Sequence, residues 1–257
     1  MQRTDAPAPP RRSRSLRGVT LALIGLVVSC GGAALSISDP LPQGLEGPRA
    51  EALAQRSLKV IEAERFWAAG GARWRFAGHS YLWHRSAGRV RVELDEDEQV
   101  YLDLITGRAR ARCGGEELSA EELEEARREA LEAFNNDSFW AFAPFKLLDS
   151  GTRRALVSSP EGEALLVSYD TGGSTPGDSY LWRFDEQGRP KAWQMWVQIL
   201  PIGGLSASWE GWRQTRAGAW VATEHRFAGI TLKLEDVELT ERFEELDQPD
   251  PLLTEPW

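Results

Sequence analysis

The sequence predicts a mainly β protein, a large antiparallel sheet that is curled or closed, carrying two helices or so. Three observations predict it. About eleven short runs alternate apolar with polar residues, or concentrate β-branched and aromatic ones, at strand spacing. Turn-forming clusters such as SAG, DEDE, PEG, TGGSTPG, DEQGRP and PIGG separate most of them. Only two segments carry a helical period, so no βαβ rhythm is present to build a parallel sheet.

The first helical segment is RAEALAQRSLKVIEAERFWAAGG (49–71). Ala50, Leu53, Ala54, Ser57, Leu58 and Ile61 share one stripe, which predicts a helix over Glu51–Phe66 ended by Gly70 and Gly71. The period then drops to two through RWRFAGHSYLWHR, RVRVEL, QVYLDLI and RARARC, a meander with tight connections. LSAEELEEARREALEAF interrupts it. Ser119 with Glu122 three residues on has the spacing of a capping box, and Leu123, Ala126, Ala130 and Phe134 form the apolar stripe. The strip FNNDSFWAFAPFKLL (134–148) follows. Strand parity puts Phe139, Ala141, Ala143 and Phe145 on one side and Trp140, Phe142 and Pro144 on the other, with Pro144 bending the edge. Strands resume from RALVSS to ITLKLEDVEL, and the tail ERFEELDQPDPLLTEPW (241–257) is acidic and proline-containing.

The eleven tryptophans are many for 257 residues and fall on both faces of their strands. In KAWQMWVQIL, Trp193 and Trp196 point to opposite sides; in SASWEGWRQ, Trp209 and Trp212 do so too. Both sheet faces are therefore expected to be covered, one by helices and one by a cavity or a partner.

The N-terminus has the anatomy of an export signal. Arg3, Arg11, Arg12, Arg14 and Arg17 precede the apolar run GVTLALIGLVVS (18–29), and VVSCGG follows with Cys30 after a small residue. Residues 18–37 are also long enough for an uncleaved transmembrane anchor, and a plain secreted form is the third possibility. Residues 31–48, rich in Gly, Pro and Ser, are expected to be a flexible tether. Once residues 1–29, at +4, are taken from the total of −9, the remainder carries −13, which argues against a nucleic-acid partner. With Cys30 acylated, Cys113 is left alone and is expected as a half-buried residue at a strand end.

Motifs for catalysis are lacking. No HExxH, GxSxG, Walker A or GxGxxG occurs. YDTGGS (169–174) has Gly173 where an aspartic protease needs Ser or Thr. DEDE (95–98) reads as a solvated turn rather than a calcium site. His79 and His84 face apart on a regular strand, and so do Glu224 and His225. No catalytic residue, metal or cofactor is expected.

Three motifs carry a resemblance: NDSFWAFAPFKLLDSG (136–151), STPGDSYLW (174–182) and WEGW with GAWVATEH (209–225). With the helix ending in Gly-Gly, the two meanders and the capped helix, the chain resembles the LolA/LolB-like superfamily of periplasmic lipoprotein carriers over residues 49–240, and within it an exported bacterial family. The resemblance implies an incomplete β-barrel with a hydrophobic concave face partly plugged by helices, and in the carriers that face holds acyl chains. VVSCGG likewise resembles a lipobox, which implies cleavage after residue 29, a diacylglycerol on Cys30 and, with Gly31 next, no inner-membrane retention.

The organisation expected is a signal peptide over 1–29, a tether over 30–48, a half-barrel domain over 49–240 and a tail over 241–257. The function expected is that of a lipid-anchored envelope protein, a monomer at the outer membrane facing the periplasm, that binds an acyl chain or lipoprotein. Its candidate lining residues are Phe139, Trp140, Phe142, Phe145, Trp193, Trp196 and Trp209. The alternative is an envelope interaction or sensor module that docks partners through the half-barrel, and an enzyme ranks third.

Overall fold

The computed structural model describes residues 38–159, 162–171, 176–198, 203–247 and 250–254. The expected signal peptide, Cys30 and the start of the expected tether lie outside them. The described residues open with β1 (Leu45–Glu46), α1 (Pro48–Val60) and α2 (Ala63–Ala68), then β2 (Gly71–Phe76), β3 (His79–His84), β4 (Arg89–Glu93), β5 (Glu98–Asp103), β6 (Ala109–Cys113) and β7 (Glu116–Glu117). Helix α3 (Ala120–Phe142) and a 3₁₀ turn (Ala143–Lys146) lead to β8 (Thr152–Ser159), β9 (Gly162–Tyr169), β10 (Ser179–Phe184), β11 (Pro190–Trp196) and β12 (Leu205–Ser208). The last strands are β13 (Arg213–Gln214), β14 (Trp220–Val221), β15 (Glu224–Phe227), β16 (Ile230–Lys233) and β17 (Glu235–Thr240).

The fold class is the one expected, mainly β with large antiparallel sheets and helices packed on them, and the sheets are not closed into a barrel. The first sheet runs β17-β2-β3-β4-β5-β6-β7 and the second β1-β8-β9-β10-β11-β12-β15-β16. The meanders explain both orders, because each hairpin pairs with its sequence neighbour. The run ITLKLEDVEL is divided between the sheets. Leu234 leaves the second sheet, Asp236 takes a positive φ, and β17 then pairs with β2.

Strand alternation is kept where it decides the core. Trp74 and Phe76 of β2, Tyr81 of β3, Val90 and Val92 of β4 and Val100 and Leu102 of β5 are buried under α3. On the second sheet the registers Tyr180↔Met195 and Trp182↔Trp193 put Tyr180, Trp182, Trp193 and Met195 on one buried face. Cys113 ends β6, half-buried as expected.

Four expectations need correction. The first helix is broken at Ile61–Glu62, where Glu62 is left-handed with φ 55°, and it resumes as α2. Arg85 then satisfies the end of α2: its guanidinium donates to the carbonyls of Phe66 and Ala69 and lies 4.2 Å over the Phe66 ring. Gly70 and Gly71 do not cap that helix. A Cβ on Gly70 would sit 2.6 Å from the Glu241 carbonyl, so these glycines let β2 start against β17.

The tether is shorter than 30–48. Residues 38–46 are docked as a strap: Asp39 N–H donates to the Gly203 carbonyl at 3.1 Å, and β1 pairs with β8 at Leu45↔Leu156. The tail is no separate segment beyond a domain ending at residue 240. Phe243, Leu246 and Leu253 are buried against Leu82 and Tyr101 on the outer face of the first sheet. The fourth correction is the strip after Phe134, which is helical.

Candidate functional site

The strip expected as a strand from Phe139 is the end of α3 and the 3₁₀ turn after it. The helix starts as expected, with the Glu122 carboxylate accepting from the Ser119 N–H at 3.1 Å and hydroxyl at 2.7 Å. Its stripe then runs past the expected end, from Ala126, Ala130 and Phe134 through Asp137 to Ala141. Asp137 is what makes the extension possible. It is buried, and one carboxylate oxygen accepts from the Tyr81 hydroxyl at 2.5 Å and meets His79 Nδ1 at 2.9 Å. Asn136 Nδ2 reaches the other oxygen at 2.8 Å. Burial, then the neighbouring Asp137, raises the Tyr81 phenol well above its ordinary value, so Tyr81 stays protonated and keeps donating.

Substituting Asp137 by Ala leaves the Tyr81 hydroxyl and His79 without their buried acceptor. The expected cost is about 2–3 kcal/mol. Urea denaturation of Asp137→Ala beside Tyr81→Phe checks it, with the phenylalanine variant losing less because it strands no hydroxyl.

Beyond Asp137 the helix lies between the two sheets. Phe142 turns toward the first sheet, 5.2 Å from Trp74 and 5.2 Å from Phe66 between ring centres, and Phe145 stacks on Phe66 at 4.0 Å. Phe139 and Trp140 turn toward the second. Phe139 is 5.0 Å from Tyr180 and 5.6 Å from Trp193; Trp140 is 5.3 Å from Trp193, 5.4 Å from His225 and 5.7 Å from Phe227. Trp209 continues the seat, 5.1 Å from Trp193, 5.3 Å from Trp182 and 4.4 Å from His225.

Helical geometry therefore regroups the candidates. Phe139, Trp140, Trp193 and Trp209 meet in one aromatic seat, while Phe142 and Phe145 belong to the cluster around Phe66 and Trp74. Strand parity had paired Phe139 with Phe145 and Trp140 with Phe142. Trp196 is on the other face of β11, as its parity requires, and its indole donates to the Asp39 carbonyl at 2.8 Å. Tyr169, Tyr180, Trp182, His225 and Phe227 also line the seat and were not among the candidates. The alternation in DSYLWRFD was the signal that could have found Tyr180 and Trp182.

The seat is filled by the protein's own side chains. Trp193 is 1% exposed and Trp209 2%, while Phe139 and Trp140 are half-buried over them. Three of its polar atoms are unmatched: the indole nitrogens of Trp182, Trp193 and Trp209 meet no hydrogen-bond partner among the described residues. His225 Nδ1 lies 2.9 Å from the Ser208 carbonyl. Burial pushes its pKa down to about 4, against the Ser208 and Trp140 carbonyls and Glu210, which raise it. The ring is neutral at pH 7, with Nδ1–H donating to the Ser208 carbonyl.

An open groove of about 400 Å³ lies apart from the seat, lined by Glu62, Arg65, Gln214, Arg216, Ala217, Gly218 and Glu241. Its charges alternate in sign, and it suits no apolar ligand. Among the described residues no three His, Cys, Asp or Glu side chains gather as a metal site, and no helix is long and apolar enough to cross a membrane. No family model matches the chain, and no curated protein matches it.

Proposed function

We propose that this chain is a non-enzymatic, membrane-anchored protein of the bacterial envelope. It takes an acyl chain, free or as the lipid of a lipoprotein, between the end of α3 and the second sheet. The observation that carries this reading is the set of three unmatched indole N–H groups on Trp182, Trp193 and Trp209 in a largely aromatic seat. Buried indole N–H groups ordinarily find an acceptor. A ligand with an apolar body and a carboxyl or ester head supplies one. Phe139 and Trp140 are the side chains that must give way, and the backbone there is weakly held. Pro144 has no N–H to offer the Trp140 carbonyl four residues earlier, so the helix loses its last regular bond.

The test is displacement of a fluorescent fatty acid, with native mass spectrometry of the purified body for co-purified lipid. Wild type binds the probe, and Trp140→Ala changes the affinity by about 1–3 kcal/mol, the worth of one large aromatic contact. The second reading, an envelope docking or sensor module, is favoured by the filling of the seat with the protein's own rings. Absence of any bound lipid or probe in wild type rejects the lipid-binding reading in its favour.

A further inference from the structure

The anchoring region and the folded body are separated by very little chain. The strap is held from its first described residues: Ser38 Oγ accepts from the Gly203 N–H at 2.9 Å, and Asp39 bonds Gly203 and the Trp196 indole. It ends at β1 on the free edge of β8, where Gly44 lies against Ala155 and Val157. In the order of the second sheet β9 and β10 lie between these two attachments. Val157, Leu166 and Leu181 form a buried cluster there with Trp196 beside it. The strap meets this cluster through Gly44, beside Ala155 and Val157. Outward it presents Leu41 at 47% exposure and Leu45 at 80%, and Pro40 is exposed as well.

We propose that this strap face, with Leu41 and Leu45 outward, is the surface of the body that meets the lipid bilayer. The proposal rests on the anchoring reading. If Cys30 carries the lipid, seven residues separate it from Ser38, a maximum reach of roughly 30 Å for extended chain. If residues 18–37 stay as a transmembrane anchor, the docked strap begins at the next residue. Either way the start of the strap is the part of the body held nearest the membrane, closer than a free tether over 30–48 would hold it. The contact is apolar in kind. Residues 38–257 carry the whole −13 of the mature chain, so anionic lipid repels the body and zwitterionic lipid is its natural partner.

The experiment uses the full chain with Cys113→Ser, reconstituted in phosphatidylcholine vesicles that contain a spin-labelled quencher lipid. A fluorophore is placed at Leu41→Cys or Leu45→Cys, and at Ile105→Cys on the first sheet, also exposed, at 77%. Quenching about threefold greater or more at 41 and 45 than at 105 is expected, since an interfacial apolar residue enters the headgroup region. Equal quenching at the three positions, with the protein still sedimenting with vesicles, overturns the strap face and leaves the anchor standing. Failure to sediment overturns the anchor and this proposal together.

Discussion

Replacing Trp193 with Ala lowers the unfolding free energy by about 3–5 kcal/mol, the range for deleting a large buried aromatic. The indole is 1% exposed, and the rings of Phe139, Trp140, Tyr180, Trp182 and Trp209 all lie within 5.6 Å of it, centre to centre. Those neighbours come from one strand, a loop and α3, so no single element can collapse into the void. Had Trp193 been the wall of an open cavity, its loss would have cost the fold less, because a wall lacks partners on one side. Trp196, three residues along the same strand, is the control. It is half-buried on the outer face and fastens the strap through one hydrogen bond, so Trp196→Ala costs about 1–2 kcal/mol. Urea titrations of the pair decide the matter. Equal losses would mean that the seat is not the centre of the second sheet's core.

How much of this was legible depends on what holds each element. Strand faces read well, because period-two alternation is imposed by burial of one face: Trp74 and Phe76, Val90 and Val92, Trp193 and Met195 all point as their parity requires. The start of α3 was legible from Ser119 and Glu122. Its end was not, since Asn135, Asn136 and Asp137 look like a stop, and FWAFAPF alternates well enough for a strand. The helix continues only because Tyr81 and His79, more than fifty residues away, receive the Asp137 carboxylate. That partnership has no local signature. The strap is hidden for the same reason. Its anchors are backbone groups of Gly203 and Leu156, which leave no periodic pattern in residues 38–46. The candidate site was half visible. Its aromatic residues stood out by type, but their grouping depended on choosing a helix over a strand.

Acidification from pH 7 to pH 4 weakens the fold, and His225 alone accounts for about 3 kcal/mol of that loss. Its ring is fully buried between Trp140 and Trp209, and burial holds its pKa near about 4, against 6.5 for an unperturbed histidine. The folded state therefore prefers the neutral ring. The unfolded chain takes up a proton first as pH falls below 6.5, and each proton it binds favours unfolding. The contribution is fully present above the unfolded value, fades between pH 6.5 and 4, and changes no further below the folded value. His84 adds a loss of the same sign, its pKa lowered by burial despite the nearby Glu244. The carboxylates of Asp103 and Asp250, whose pKa values are lowered, add losses of the same sign at more acid pH. A difference measurement isolates His225. Asn at position 225 keeps an amide N–H for the Ser208 carbonyl and removes the titration, at a packing cost that is the same at every pH. Urea unfolding of wild type and His225→Asn at pH 7, 5.5 and 4.5 should show the gap between them closing by about 1.4 kcal/mol for each unit below 6.5. A gap that stays constant across the series would mean that the ring titrates alike in the folded and the unfolded protein, and that burial does not lower its pKa.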